Sequence, residues 1–519
     1  MTAPDSAPLP LDRRLRQEIL WARARVYRFG QPTPMERLIL PGPEAQPEIW
    51  VKREDLSAIK SYKWRGAGNR LASLTADEAE RGVVTASAGN HAQGVALAAR
   101  ALGLQARIFM PRSTPRIKQQ AVRQHGGSCV DIVLVGDSYD DAVAAAREDE
   151  RAHGSVYVHA YDDLRVMAGQ GTLADEVVLS GHGPFDAAYL QVGGGGMIAG
   201  VTAWLKTYWP WLDVVGVEGV DQASLQAARA AGHPAPLDHL DIFCDGTAVR
   251  QIGALPFEAC RETVGRLVTV TNAEVIRAIR VLWESLRCLA EPSGAIGLAA
   301  VIRERTALAG HRVLVVITGA NLDFLQLGLI AQSEGAASLA SRTLRIRLSE
   351  RPGSMLELLD SCFAGLNIAD FQYGKVDPVE AWPAFTITAE NAAVLESLPA
   401  RLEAHGFSWE DLTGATDISF RAIPLRGDLL NCPAFLRLDF YERPGALHDF
   451  LDTAIRGRAS LCYFNYRQSG ERIGRALIGL DFSHLSERDE FLAALPPHGE
   501  GYRSCQPVEP TAAARLARA

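Results

Sequence analysis

Lysine is scarce in this 519-residue chain: of 53 lysines and arginines only six are lysine, at positions 52, 60, 63, 118, 206 and 375. Surface positive charge is therefore carried almost wholly by arginine, and a lysine in an apolar setting is less generic than usual. Arginine stays protonated, whereas a lysine amine whose pKa is lowered by burial becomes a nucleophile able to form a Schiff base. Cysteine pairs are missing as well. The eight cysteines (129, 244, 260, 288, 362, 432, 462 and 505) include no C-x-x-C and no cysteine-histidine cluster. That pattern excludes a structural zinc site and favours free thiols in a reducing compartment. Excess positive charge is absent too: the net charge is −8 and the pI near 5.9, which argues against nucleic acid or an acidic membrane surface as the main partner. Long apolar runs are lacking near the start, where prolines, Asp5, Asp12 and arginines interrupt the first twenty residues. They read as neither signal peptide nor membrane span, and the expectation is a cytoplasmic enzyme with a short, loosely ordered N-terminal lead.

What is present is an ordinary globular composition, 47% hydrophobic and 22% charged, long enough for three or four domains. From about residue 48 to 319, β-branched runs alternate with helical patterns. Runs at 83–85, 106–110, 130–135, 156–159, 187–192, 214–217, 267–270 and 313–317 read as strands buried on both faces. Helices are expected at 91–102, 139–151, 223–231 and 273–287. This alternation predicts an α/β fold of parallel sheets with ligands beyond the carboxyl ends of the strands. A small, polar stretch at 333–341 reads as a linker, so the boundaries expected are 1–332, with a smaller subdomain of about 65–160 inserted, then 342–424 and 433–507. The last two are copies of one α+β module. Leu344-Arg345-Ile346-Arg347-Leu348-Ser349-Glu350-Arg351-Pro352-Gly353 recurs 92 residues later as Leu436-Arg437-Leu438-Asp439-Phe440-Tyr441-Glu442-Arg443-Pro444-Gly445. Each is followed by an apolar helix, at 354–363 and 446–454, and an aromatic strand, Phe371-Gln372-Tyr373 or Phe464-Asn465-Tyr466.

Five stretches carry chemistry. Ser61-Tyr62-Lys63-Trp64-Arg65-Gly66 presents the lysine. Thr85-Ala86-Ser87-Ala88-Gly89-Asn90-His91 leaves a strand and enters a helix, which lets backbone amides and the Ser87 hydroxyl converge on a carboxylate or phosphate; an ordinary turn capped by Asn90 is the plainer alternative. Gly193-Gly194-Gly195-Gly196 follows a buried strand, and four glycines are costly unless the backbone approaches a ligand. The loop has neither dinucleotide spacing nor a nucleoside-triphosphate lysine, which leaves a lone phosphate monoester. Finally, Glu291 precedes a helix with Ser293 as its expected cap, and Thr318 closes the last strand at the ligand edge.

Together with Lys52-Arg53-Glu54-Asp55, Gly169-Gln170-Gly171-Thr172 and Gly319-Ala320-Asn321, these stretches resemble the biosynthetic threonine dehydratases (threonine ammonia-lyases), pyridoxal-phosphate enzymes of fold type II. The resemblance covers about the first 330 residues. It implies two doubly wound subdomains in which Lys63 carries pyridoxal 5'-phosphate, residues 193–196 hold its phosphate and Asn90 bonds its ring hydroxyl. It also implies that Ser87, Ala88, Gly89, Asn90 and His91 take the substrate carboxylate, with Glu291 a secondary candidate and no metal. Thr318 stands where the family usually has serine opposite the pyridine nitrogen. Ala88 stands where related serine racemases have a second serine, which implies negligible racemisation. The C-terminal pair resembles the ACT-like regulatory modules of the same enzymes, implying isoleucine or valine as effector and a homotetramer. Family members often carry Phe-Asn-Tyr-Arg in the first module; here it stands in the second, as Phe464-Asn465-Tyr466-Arg467, against Phe371-Gln372-Tyr373-Gly374 in the first. Alternatives are a serine dehydratase, a threonine synthase, or an amino-acid sensor with an inactive catalytic domain.

Overall fold

The computed structural model describes residues 9–42, 45–324, 326–331, 340–349, 354–363, 366–372, 379–389, 392–413, 430–441, 450, 455, 458–466, 473–499 and 502–508. The chain divides into two units, 1–323 and 324–519.

The first unit contains strands β1 (Met35–Leu38), β2 (Glu48–Arg53), β3 (Val83–Ala86), β4 (Ala106–Met110), β5 (Val130–Leu134), β6 (Val156–Tyr157), β7 (Ala187–Gln191), β8 (Asp213–Gly219), β9 (Leu267–Val270) and β10 (Arg312–Ile317). Its helices are α1 (Leu11–Val26), α2 (Lys63–Ala72), α3 (Ala76–Arg81), α4 (Asn90–Leu102), α5 (Arg116–Gly126), α6 (Tyr139–His153), α7 (Leu164–Leu179), α8 (Gly196–Tyr208), α9 (Ser224–Ala231), α10 (Ala254–Cys260), α11 (Asn272–Leu286) and α12 (Pro292–Arg303). One sheet runs β1-β2-β10-β7-β8-β9, parallel except for the β1–β2 pair; the other, wholly parallel, runs β5-β4-β3-β6. Both are doubly wound, as the alternation predicts. Not every strand is buried on both faces, however. β5 and β9 are sheet edges and remain half exposed, because only one neighbour covers each.

From residue 11 on, the loosely ordered N-terminal lead is overturned. Residues 11–26 form a helix whose Leu15, Ile19, Ala22 and Val26 are fully buried. The apolar spacing of four, three and four is an amphipathic stripe, and Leu15, Ile19 and Val26 each contribute about 1.5–3 kcal/mol on burial, which outweighs the charged residues between them.

Helix α2 is packed unusually closely. A Cβ on Gly169 of α7 would lie 2.4 Å from the Arg65 carbonyl oxygen, and one on Gly94 of α4 would lie 2.9 Å from that of Lys63. Gln170 Oε1 accepts from Gly66 N (3.1 Å). The Gly169-Gln170-Gly171-Thr172 stretch thus serves the approach of α7 to α2. Beneath this contact four charges are buried together. Arg65 donates to Glu54 (2.8 and 2.9 Å) and to Glu176 (2.6 and 2.9 Å), and Lys52 reaches Glu176 (2.6 Å) and Glu54 (3.2 Å). Thr33 donates to both carboxylates, through Oγ1 to Glu54 and N to Glu176, and the Tyr27 hydroxyl donates to Glu176. Burial alone would raise the Glu54 carboxyl, yet the Arg65 and Lys52 charges pull it down to about 2.

In the second unit the internal repeat is visible in the topology. The first module's strands are Ala340–Ile346, Asn367–Gln372, Ala384–Ala389 and Trp409–Asp411; the second's are Cys432–Tyr441, Ser460–Tyr466, Ile473–Phe482 and Ser504–Pro507. Both antiparallel sheets read second-third-first-fourth, and both second strands carry a register shift, at Ile368/Asp370 and Leu461/Tyr463. Each sheet has its own core, with Leu344, Phe385 and Ile387 in one and Leu436, Ile478 and Phe482 in the other. The helix expected at 446–454 apart from Phe450, both Glu-Arg-Pro-Gly turns, Tyr373, Gly374, Arg467 and the linker up to Leu339 lie outside the described residues. Among the described residues no helix is long and apolar enough to cross a membrane.

Replacing Glu54 by glutamine leaves two buried cations facing one carboxylate. Chemical denaturation is expected to show a loss of about 3–5 kcal/mol. The wild-type contribution of Glu54 is complete above the unfolded value near 4.5 and is lost as pH falls through about 2, because the folded carboxyl is the more acidic.

Candidate functional site

Lys63 opens α2, and the chain entering it is clamped to the end of β10. Tyr62 N donates to Thr318 O (3.1 Å), Ala320 N to Lys60 O (2.9 Å) and Asn321 Nδ2 to Ile59 O (2.8 Å), while Ser61 and Gly319 form a β-bridge. Lys60, the nearest rival amine, is exposed and has a φ of 57°. Lys63 Nζ instead donates to Ala160 O (3.2 Å), just beyond β6. Burial pulls the Lys63 amine down to about 8, against the opposing pull of Glu291.

The turn between β3 and α4 stands at the carboxyl edge of the smaller sheet. Gly89, not Asn90, is the residue flanking α4, and the Ser87 hydroxyl accepts from the amides of Gly89 and Ala92 (both 3.3 Å). Among the described residues no acceptor meets the amides of Ala88, Asn90 or His91. The His91 ring turns away, donating through Nε2 to Val158 O (3.2 Å). Burial, helped by the charge of Lys63, takes this imidazole down to about 3, so His91 offers the turn its backbone amide and not a cation. A Cβ on Gly89 would meet nothing within 4 Å, so the turn opens into free space.

The glycine loop follows β7. Gly193 and Gly195 have φ of 52° and 86°, and Gly195 N donates to Val192 O (2.9 Å). A Cβ on Gly194 would lie 2.3 Å from the Tyr161 ring, and one on Gly195 would lie 2.6 Å from Pro256. Among the described residues the amides of Gly193, Gly194 and Gly196 have no acceptor, and they sit at the N-terminus of the 13-residue α8. An oxyanion is the natural complement of such a cradle. The neighbouring pair Ala160 and Tyr161 touches Lys63 through one residue and the glycine loop through the other.

Glu291 and Asn90 meet between the sheets: Asn90 Nδ2 donates to Glu291 Oε1 (2.7 Å), Asn321 Nδ2 to Asn90 Oδ1 (2.6 Å) and Asn321 N to Glu291 Oε2 (3.2 Å). Ser293 does not cap α12; Glu291 flanks the helix, and among the described residues the buried Ser293 hydroxyl has no partner. Thr318 Oγ1 is 3.4 Å from Ser293 O, a long bond that another acceptor or donor replaces easily. Asn90, Glu291 and Asn321 are therefore joined in one hydrogen-bonded network, whose carboxylate also acts on the Lys63 charge. The Asn321 side chain was given no role by the sequence pattern, and nothing in the pattern marks the Ala160 carbonyl.

A half-buried primary amine, a phosphate-sized cradle and a lone hydroxyl at a strand end fit pyridoxal phosphate. A family model described as pyridoxal-phosphate dependent enzyme matches residues 26–319, and one for the C-terminal regulatory domain of threonine dehydratase matches 430–512, the second of the two repeats. That fixes the class as a pyridoxal-phosphate enzyme of fold type II. The L-threonine dehydratase biosynthetic IlvA of Burkholderia multivorans is 34% identical over 480 residues, covering 91% of this chain and 94% of the relative. The biosynthetic, chloroplastic threonine dehydratase of Arabidopsis thaliana is 33% identical over 471 residues, 90% of this chain and 78% of the relative. The chain belongs to the biosynthetic threonine dehydratases. In structure it is similar to the processed threonine deaminase isoform 2 of Solanum lycopersicum (TM-score 0.58, 35% identity, 64% of this chain and 96% of that one) and to maize serine racemase (TM-score 0.55, 27% identity, 62% and 97%).

Two alanine substitutions separate a tight loop from an open one. Gly195→Ala meets both a positive φ and Pro256, and is expected to cost about 1–3 kcal/mol in denaturation. Gly89→Ala is expected to stay within about 0.5 kcal/mol of wild type. Equal losses in the two variants would contradict the tight packing of the cradle.

Proposed function

We propose that the protein converts L-threonine to 2-oxobutanoate and ammonia as the first step of isoleucine biosynthesis in the cytoplasm. The observation that carries this reading is the half-buried Lys63 amine with its lowered pKa, placed between two amide cradles of different exposure. Pyridoxal phosphate, when bound, supplies an aldehyde that condenses with amines and a ring that draws electrons from the substrate α-carbon. The amides of Gly193, Gly194 and Gly196 would hold its phosphate, Lys63 its aldehyde carbon, Asn90 its ring oxygen and Thr318 its pyridine nitrogen. A hydroxyl at that nitrogen leaves it unprotonated, which favours elimination over racemisation or transamination.

The open turn takes the substrate carboxylate on the amides of Ala88, Asn90 and His91. Lys63, released once substrate is engaged, removes the α-proton at Nζ, a role that needs a neutral amine and is served by its lowered pKa. The α-C–H and β-C–O bonds break and water leaves. The resulting enamine tautomerises and is hydrolysed, taking up one water and releasing ammonia. Ala88 has no hydroxyl to return a proton from the opposite face, so racemisation is negligible.

In this reading residues 1–332 form the catalytic part, with the inserted subdomain at about 65–160, and 342–424 and 433–507 are ACT-like modules that bind isoleucine or valine and regulate a homotetramer. The matching strand orders and register shifts support a duplicated effector module.

Purified protein supplied with the cofactor is expected to release 2-oxobutanoate from threonine faster than pyruvate from serine, with neither D-threonine nor D-serine formed. Lys63→Ala is expected to abolish turnover. Failure of the wild type on both amino acids would sink the enzyme reading. Isoleucine titrated into the full-length assay is expected to lower the rate; indifference to both isoleucine and valine would remove the regulatory part. Uptake of the cofactor by the apoprotein is expected to accelerate as pH rises to about 8 and then level off, because only the neutral Lys63 amine reacts.

A further inference from the structure

Glu291 takes no part in the steps above, although it sits at the centre of the network. It is 4% exposed, and a Cβ on Gly319 would lie 2.5 Å from its Oε1, so the strand end is left bare to admit its carboxylate. Together with the Ile59 carbonyl, its carboxylate fixes the direction of the Asn90 amide from both sides. Asn321 Nδ2 faces the Ile59 carbonyl (2.8 Å), which can only accept, so the nitrogen of Asn321 must point that way and its second N–H meets Asn90 Oδ1 (2.6 Å). Asn90 Nδ2 then donates to Glu291 Oε1 (2.7 Å). A flipped Asn90 would set oxygen against carboxylate and nitrogen against nitrogen, two repulsive contacts in place of two bonds. The oxygen of Asn90 is spent on Asn321, and what remains for a ligand is one N–H.

We propose that Glu291 is a positioning residue that commits the Asn90 amide to donating, so that the site holds the cofactor's ring oxygen in its ionised, accepting form. This rests on the reading in which Asn90 meets that oxygen, and deepens it by assigning the oxygen's protonation state to a group that never touches it.

The charges facing Glu291 come from three elements. Lys63 and Tyr62 approach from the start of α2, Cys244 and Asp245 from the segment before α10, and Lys118 from α5, where it pairs with Asp245 (2.6 Å). Burial and the Asp245 charge together push Glu291 up to about 7, against Lys118 and the bonds from Asn90 and Asn321. The sign follows directly. Above about 7 the ionised carboxylate and Asn321 both hold Asn90; below it Glu291 takes a proton, its pull on the Asn90 N–H weakens and only Asn321 still orients the amide, so the ring oxygen protonates more readily.

The test is the visible spectrum of the protein loaded with pyridoxal phosphate, titrated from about pH 6 to about pH 9. Wild type is expected to show the longer-wavelength band of the ionised ring above about 7 and to lose it toward the shorter-wavelength band below. In Glu291→Gln the side-chain nitrogen faces the Asn321 amide, donor against donor. The midpoint is expected to disappear, and cofactor affinity to fall about tenfold. Asn321→Ser leaves the carboxylate in place but releases the amide direction, and is expected to shift the bands the same way. It carries the test if Glu291→Gln does not fold. Spectra of the folded variants that superimpose on wild type across the range would overturn the proposal while a visible band lost in Lys63→Ala keeps the cofactor reading. A wild-type protein with no visible band would overturn both.

Discussion

The structure depends on four charges being buried together under α2. Arg65, two residues beyond Lys63 on the same helix, is fully buried, and both faces of its guanidinium fork are taken by Glu54 and Glu176, with Lys52 closing the square. Removing any one charge leaves its partners uncompensated in a medium that solvates them poorly. The square therefore admits one arrangement of the three segments that supply it: the end of β2 with the residue after it, the first turn of α2 and the last turn of α7. Lysine 63 inherits its position from that arrangement. The backbone clamp to residues 318–321 then sets where β10, which leads directly into Thr318 and Asn321, stands against it.

Two consequences for the chemistry follow from this packing. The amine is brought to the carboxyl edge of both sheets, where the open strand-to-helix turn and the glycine cradle lie, and it is desolvated enough to be reactive near neutral pH. The same burial that lowers Lys63 raises Glu291, so the two groups approach the neutral range from opposite sides. Neither shift requires a special residue type. Both come from withholding water, which is the cheapest way for a fold to tune an ordinary lysine and an ordinary glutamate.

Much of the fold was legible because parallel strands announce themselves as β-branched runs; β4 and β9 fall at the residues expected from the pattern. The duplicated modules were legible from repeated strand, turn and helix, and the strand orders agree. The N-terminal helix was not, because its stripe of Leu15, Ile19, Ala22 and Val26 is diluted by five arginines and three acidic or amide residues within 11–26, and its burial depends on α7 and α8, far along the chain. Glycine runs and a lysine beside Trp64 and Arg65 are local signals and survive in one dimension. The partners of those residues are not local. Asn321 bonds Asn90 across 231 positions and the Ala160 carbonyl meets Lys63 across 97, contacts that a pattern read along the chain does not contain.

The central claim is that among six lysines one is set apart by packing. Borohydride reduction of the protein incubated with pyridoxal phosphate, followed by peptide mapping, tests it most directly. The account predicts a stoichiometric pyridoxyl adduct on Lys63, with exposed Lys60 and buried, ion-paired Lys52 and Lys118 unmodified. An adduct placed on Lys60, spread over several lysines, or absent altogether would contradict it.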